Sequence, residues 1–142
     1  MSLVRIYLPL TVAQLRELAD TRAVAGTMPG FAVTESVRHS DPSGGQEEWE
    51  YAALQNAAGH ALDQGGPVIV AAADIDLASV DDSAAAGSAV LVAGPLRLPR
   101  VSAFHVGDDV TGSAQPADFD PDSEVELSWY DTSELEHLVS LV

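Results

Sequence analysis

A continuous apolar run at residues 67–73 constrains the fold more than any other feature of the sequence. Val68, Ile69 and Val70 stand at its centre. A strand with one face in water alternates apolar and polar residues, whereas a strand buried on both faces is apolar throughout. We therefore predict that this segment is a strand in the centre of a sheet, covered on both faces.

The longest helix is predicted at residues 46–63, directly before this strand. Apolar residues recur there at helical spacing, and two glycines follow the last turn, at Gly65 and Gly66. Glutamates in the first turn favour a helix N-terminus at this end. The apolar stripe consists of Tyr51, Leu54, Ala58, Ala61 and Leu62.

The N-terminal region predicts a strand followed by a short helix. Residues 3–8 alternate in the period-two pattern of a strand. Thr11 and Gln14 have the spacing of a capping box, and apolar residues then recur at helical intervals. A helix over residues 12–20 follows from this pattern.

The remaining apolar segments complete the sheet. Further strands are predicted at residues 31–33, 89–92, 96–106 and 124–130. A long loop over 107–123 separates the last two, and a short helix beginning at Asp131 or Thr132 ends at Leu138. We predict a single α+β domain over residues 1–142. Its mixed sheet has about six strands, two main helices packed on one face and a short C-terminal helix.

The chain is strongly acidic, with a formal net charge of −16 from 22 acidic and six basic residues. Residues 101–142 hold ten of the acidic residues and no arginine. Lysine and arginine drive binding to nucleic acids and anionic lipids, so we predict neither a nucleic-acid nor a membrane partner. The acidity fits a solubility or halophilic adaptation, a basic protein partner, or a mimic of nucleic acid.

Several reaction classes are excluded by residues that the chain lacks. It contains neither cysteine nor lysine, which excludes thiol chemistry, zinc–thiolate sites, Schiff bases and the lysine of a phosphate-binding loop. Glycine-rich nucleotide motifs and the nucleophile elbow of hydrolases are also missing. No cofactor is predicted. Since no apolar stretch approaches the roughly 18 residues of a membrane span, we predict a cytoplasmic location.

The strongest catalytic candidate is His105, which is followed by Asp108 and Asp109 where a predicted strand meets a loop. Histidine can act as a ligand or as a base near neutral pH, and a carboxylate can orient its ring. The alternative interpretation is a half-buried strand histidine followed by turn-forming aspartates. Further donors would have to come from His39, His60 or Asp74.

Two weaker patterns resemble metal sites. Asp118, Asp120 and Asp122 alternate like the first ligands of a calcium-binding loop, but the glycine and final glutamate of that motif are missing. Glu134 and His137 have the spacing of di-iron helices, but they occur once and on a short helix. We interpret the first as a solvated loop and the second as helix surface.

Four residues are candidates for ligand binding. Arg5 and Tyr7 share a strand face, and Trp49 and His60 share a second stripe of the long helix. Either pair could line a pocket. A surface strand face explains the first pair equally well, and close packing of the helix explains the second.

Five short blocks are spread over most of the chain. They are Arg5-Ile-Tyr-Leu-Pro, Glu50-Tyr-Ala-Ala-Leu, Val68-Ile-Val-Ala-Ala, Ala103-Phe-His-Val, and Leu127-Ser-Trp-Tyr-Asp ahead of Glu134-Leu. In this order the blocks resemble a family of conserved proteins from high-GC Gram-positive bacteria. That family has no assigned activity, so the resemblance implies no function.

The sequence favours a small binding or protein-interaction module without catalysis, because its surface is acidic and its catalytic motifs do not converge. The alternative is a metal-assisted hydrolase, with His105 as ligand or base and Asp108 or Asp109 as carboxylate ligand. An enzyme is expected to hold His105 in a concave pocket near another histidine or a carboxylate. An interaction module is expected to expose an apolar or strongly acidic patch.

Overall fold

The computed structural model describes residues 2–82, 87–107 and 125–142. The strands are β1 (Leu3–Pro9), β2 (Ala23–Val24), β3 (Met28–Ala32), β4 (Ile69–Asp76), β5 (Val80–Asp81), β6 (Ala89–Val92), β7 (Leu96–Arg97), β8 (Val101–Gly107) and β9 (Leu127–Asp131). The helices are α1 (Val12–Thr21), α2 (Glu35–Ser40), α3 (Gln46–Asp63) and α4 (Leu135–Leu141). Short 3-10 turns occupy Leu77–Ser79, Leu98–Arg100 and Thr132–Glu134.

Seven strands form the main sheet in the order β5-β6-β3-β1-β4-β8-β9, and β2 pairs with β7 in a small second sheet. The α+β fold class is confirmed. The predicted mixed sheet is wrong for the described residues, because every strand pairing there is antiparallel. The chain between β1 and β3 carries both α1 and β2, and it returns β3 antiparallel to β1 rather than through a parallel crossover.

The two main helices lie on opposite faces of the sheet, so the prediction that they share one face is wrong. Leu15 of α1 packs in one core cluster with Ile6 and Leu8 of β1. Ala57 of α3 packs in a second cluster with Tyr7, which points to the other face. Strands β1 and β4 are apolar on both faces, and each face therefore needs its own helix.

The local sequence patterns are confirmed where they are strongest. Residues 69–73 of β4 are buried, as expected of a central strand covered on both faces. The capping box of α1 is present: the Gln14 N–H donates to Thr11 Oγ1 at 3.1 Å, and the Thr11 N–H donates to Gln14 Oε1 at 2.9 Å. Helix α3 begins and ends at the predicted residues. None of the helices in the described ranges combines the length and apolar character of a membrane span.

A β-bulge in β8 changes which side chains face α3. Ala72 of β4 pairs with Ala103, but the next residue, Ala73, pairs with Val101, so Ser102 is an extra residue. The bulge brings the Ser102 hydroxyl to the carboxylate of Asp74. Pro99 lies in the 3-10 turn that precedes β8, so the strand predicted at residues 96–106 is divided into β7 and β8.

Candidate functional site

Helix α3 covers only part of its side of the sheet. It packs on β1, β3 and β4, where small side chains allow a close approach. Strands β8 and β9 extend beyond it. We call this side of the sheet the α3 face. Its polar and aromatic members near β8 and β9 are Arg5, Tyr7, Asp74, Ser102, His105 and Trp129.

Arg5 and Asp74 form a cross-strand ion pair on the α3 face. The guanidinium Nε donates to Asp74 Oδ1 at 3.0 Å, and Nη2 donates to Oδ2 at 3.4 Å. Ser102 completes the cluster, since its hydroxyl donates to Asp74 Oδ2 at 3.2 Å and accepts from Arg5 Nη2 at 3.3 Å. The hydrogen bond from Arg5 lowers the pKa of Asp74, which therefore stays ionised. Asp74 is thus engaged by Arg5 and is not the partner of His105.

His105 is half-buried beside Tyr7. The two rings meet edge to face, with centroids 6.4 Å apart. Burial lowers the pKa of His105, and the positive charge of Arg5 lowers it further, so the ring is neutral at pH 7. Among the described residues, neither ring nitrogen has a hydrogen-bond partner. Such a ring can still donate one hydrogen bond and accept another.

A cleft of about 480 Å³ opens between α3 and the last two strands of the sheet. Its lining includes Tyr51, Leu54 and Gln55 of α3, His105 of β8, and Leu127 and Ser128 of β9. The volume lies within the usual range for small-ligand pockets. His105 therefore lines a concave cleft, as expected for an enzyme, but no second histidine or carboxylate among the described residues forms a hydrogen bond with it.

Gln55 ties the segment just before β9 to α3. The Val125 N–H donates to Gln55 Oε1 at 2.7 Å, and Gln55 Nε2 donates to the Val125 carbonyl at 3.0 Å. The side-chain amide thus forms the paired bonds that a neighbouring strand would form. These two bonds fix one wall of the cleft relative to the other.

Strand β9 is an edge of the main sheet, and among the described residues β8 is its one partner. Trp129, at the centre of β9, leaves 61% of its surface exposed. Acidic residues lie around the strand, at Glu126, Asp131 and Glu134. Hydrogen bonds from Ser133 lower the pKa of Asp131, which keeps that carboxylate charged. The edge is therefore both aromatic and anionic.

The other predicted binding residues lie away from the cleft. The Trp49 indole donates to the Asp41 carbonyl at 3.0 Å, and the Arg38 guanidinium lies 5.9 Å from the centroid of its ring. His60 packs on Phe31, with ring centroids 5.7 Å apart, in a smaller cavity of about 210 Å³. The structure groups Arg5 and Tyr7 with His105, but it does not bring Trp49 or His60 to them.

The predicted metal ligands are not assembled in the described part of the chain, where no three histidine or acidic side chains could hold an ion together. The ring that packs against His105 is that of Tyr7, and His60 packs on Phe31. Glu134 instead caps the Asp131 N–H at 3.2 Å, and His137 packs 6.3 Å from the ring of Tyr130. The remaining predicted ligands, Asp108, Asp109, Asp118, Asp120 and Asp122, lie outside the described residues.

Three residues of this region were not singled out as site residues from the sequence. Ser102 is placed by a bulge, and Gln55 acts across a separation of 70 residues, which no local pattern indicates. The alternation around Trp129 predicts an apolar face with acidic residues turned to water. In the structure α3 packs chiefly on β1, β3 and β4, and the apolar face of β9 stays open at Trp129.

The lowered pKa of His105 predicts a dependence of stability on pH. In the unfolded chain His105 takes up a proton near pH 6.5, whereas in the folded chain it does so only at lower pH. The contribution of neutral His105 to folding stability is thus complete above about pH 6.5, and it is lost as the pH falls through the folded-state pKa of His105. We expect His105→Gln to reduce the loss of unfolding free energy between about pH 7 and pH 5, measured by urea denaturation. An unchanged pH dependence in the variant would contradict this.

Comparison with known proteins gives one match. The model of a protein family matches residues 4–139, from β1 into α4, and its description is a family of unknown function, DUF6912. No curated protein and no solved structure matches the chain. The family description assigns no activity. The chain therefore belongs to this family of unknown function.

Proposed function

We propose that this protein is a binding module that takes an extended, basic segment of a partner protein along β9. The observation that supports it is an edge strand of five residues whose central Trp129 is 61% exposed beside the His105 cleft. The main-chain groups along the outer side of an edge strand can pair with another extended chain.

Among the described residues, the edge at β9 lacks two common protections against strand addition. Natural proteins shorten their edge strands, or place lysine or proline in them. The opposite edge of the sheet is short, since β5 has two residues. Strand β9 contains neither proline nor lysine and carries an exposed tryptophan instead. Such an edge favours a partner strand.

The charges around β9 select the chemistry of the partner. Residues 125–142 contain four acidic residues and no arginine or lysine. Opposite charge steers association, whereas like charge opposes it. A second copy of this chain would bring another formal charge of −16 to the interface. The preferred partner is therefore a segment with lysine or arginine at its exposed positions.

The cleft adds side-chain selectivity to main-chain pairing. Side chains of an extended segment alternate between the two faces of the sheet, so every second one would lie on the α3 face next to Trp129. Leu54 and Leu127 offer an apolar surface there, and His105 offers a neutral ring that can donate or accept one hydrogen bond. An apolar or hydroxyl-bearing side chain fits this lining.

A charge series of extended peptides tests the proposal. The peptides have about ten residues and alternate valine with a variable position, which changes stepwise from glutamate through glutamine to lysine. Trp49→Phe leaves Trp129 as the single tryptophan, so its fluorescence reports binding. We expect affinity to rise with positive charge, by at least about tenfold from the glutamine to the lysine peptide, and to fall as salt rises.

Two results would contradict the proposal. Affinities that do not depend on peptide charge would show that the acidic residues around β9 do not select a basic partner. Absence of binding by the lysine peptide at millimolar concentration would show that the edge strand β9 does not take up an extended peptide. Calorimetry on the unmodified protein serves as the control for the Trp49 substitution.

Two predictions from the sequence belong to this proposal. The family is expected to be one of high-GC Gram-positive bacteria, on the resemblance of the sequence blocks, and the protein is expected to act in the cytoplasm. The proposed partner is then a cytoplasmic protein with an exposed basic segment.

A further inference from the structure

A separate cavity of about 570 Å³ lies at the C-terminal end of α1. Its lining residues are Arg22, Leu98, Pro99, Val101, Thr132 and Ser133. None of them lines the His105 cleft. The cavity is therefore a different site from the cleft beside β9.

Arg22 has an unusual backbone conformation. It caps α1 in the left-handed region, at φ 64° and ψ 18°, and it is the one non-glycine residue with positive φ in the described ranges. Its N–H donates to the Leu18 carbonyl at 3.0 Å, and its carbonyl accepts from the Leu98 N–H at 3.0 Å. Glycine is the usual residue at such a cap, because it adopts this conformation without strain. Unlike glycine, Arg22 places a guanidinium group at this position.

The Arg22 guanidinium has no ion-pair or hydrogen-bond partner among the described residues. This is unexpected in a chain with 22 acidic residues and six arginines. Arg97 and Arg100 lie on either side of Leu98 and Pro99. Half of the positive charges of the chain thus belong to two segments that the bond between Arg22 and Leu98 joins. Asp131 and Glu134 flank the lining residues Thr132 and Ser133 in the sequence.

The rest of the lining has two chemical parts. Leu98, Pro99 and Val101 form an apolar wall, in which Val101 is buried. The Thr132 hydroxyl has no hydrogen-bond partner in the part of the chain that the structure describes, so it can donate to a ligand. Ser133 already donates its hydroxyl to Asp131 at 2.6 Å.

We propose that this cavity binds a small organic anion. The oxyanion head group, a carboxylate or a phosphate, pairs with the Arg22 guanidinium and accepts from the Thr132 hydroxyl. The apolar body of the ligand lies on Leu98, Pro99 and Val101. Guanidinium groups recognise both kinds of head group through paired N–H donors.

Three probes with the same ring test this assignment: benzoate, phenyl phosphate and benzyl alcohol. Each is titrated into the full chain and followed by backbone amide shifts in two-dimensional NMR. We expect at least one anion to shift the amides of Arg22, Leu98 and Thr132, and benzyl alcohol to bind at least about tenfold more weakly. A response to benzoate alone identifies a carboxylate ligand, and a response to phenyl phosphate alone identifies a phosphate.

Arg22→Gly separates the side chain from the backbone conformation. We expect this variant to bind the anion at least about tenfold more weakly while its melting temperature stays the same or rises, because glycine relieves the left-handed cap. Arg22→Asn is the second variant, since asparagine also tolerates this conformation. Arg38→Gln removes the same charge on α2 and is expected to leave binding unchanged.

The proposal is overturned by any of three results: no shift with either anion, equal binding of benzyl alcohol, or full affinity in both Arg22 variants. A lower melting temperature in both variants would also overturn it, because Arg22 would then serve the stability of the cap. None of these results affects the peptide titrations at β9, so the two proposals fail separately.

Discussion

Phe104→Ala is expected to lower the free energy of unfolding by about 3–5 kcal/mol. Phe104 has no exposed surface and lies on β8, within the core cluster that α1 and α4 cover. Its removal gives up the burial of an aromatic ring and leaves a cavity that the surrounding strands close only partly. Domains have a total stability of about 5–15 kcal/mol, so this variant is expected to lose a large share of it.

The matched control is Trp129→Ala on the neighbouring strand. Trp129 is also a large aromatic residue, but 61% of its surface is exposed. We expect this variant to change the unfolding free energy by no more than about 1 kcal/mol. Urea denaturation followed by circular dichroism measures both. Equal losses in the two variants would contradict the assignment of Phe104 to the core and Trp129 to the surface.

Trp129→Ala is also expected to weaken binding of the lysine peptide by at least about tenfold, or about 1.4 kcal/mol. Its exposed ring provides the largest apolar surface on β9, and aromatic residues of this kind contribute most of the affinity in many interfaces. Isothermal titration calorimetry gives the affinity without a tryptophan signal. Because the variant is expected to stay folded, the loss reports the contact itself.

Leu91→Ala provides the control for this second prediction. Leu91 is also exposed, at 49%, but it lies on β6 near the opposite edge of the sheet. We expect the peptide to bind this variant as it binds the unmodified chain. Equal losses in Trp129→Ala and Leu91→Ala would show that the peptide binds apolar surface without preference for β9.

Elements with strong local signals could be predicted from the sequence. Helix α3 has an apolar stripe, acidic residues at its start and glycines after its end, and the structure places it at residues 46–63. The capping box at Thr11 and Gln14 depends on residues three apart, and it is present. The uninterrupted apolar run correctly predicted a central strand that is buried on both faces.

Features that depend on distant parts of the chain could not be predicted in this way. The opposite placement of α1 and α3 follows from the apolar faces of β1 and β4, but the sequence gives no order for the strands. Ser102 reaches Asp74 through a bulge, and Gln55 binds a backbone segment 70 residues away. His105 could be predicted as a candidate site residue because it lies near the end of a strand. Its neutral state could not be predicted, because it depends on burial and on the charge of Arg5.

The most direct test of strand addition at β9 is amide hydrogen exchange by NMR, with and without the lysine peptide. The account predicts that the peptide slows exchange at alternate amides of Leu127–Asp131, those that point away from β8, and leaves the amides of β5 and β6 unchanged. Slower exchange at β5 and β6, with no change at β9, would contradict the account.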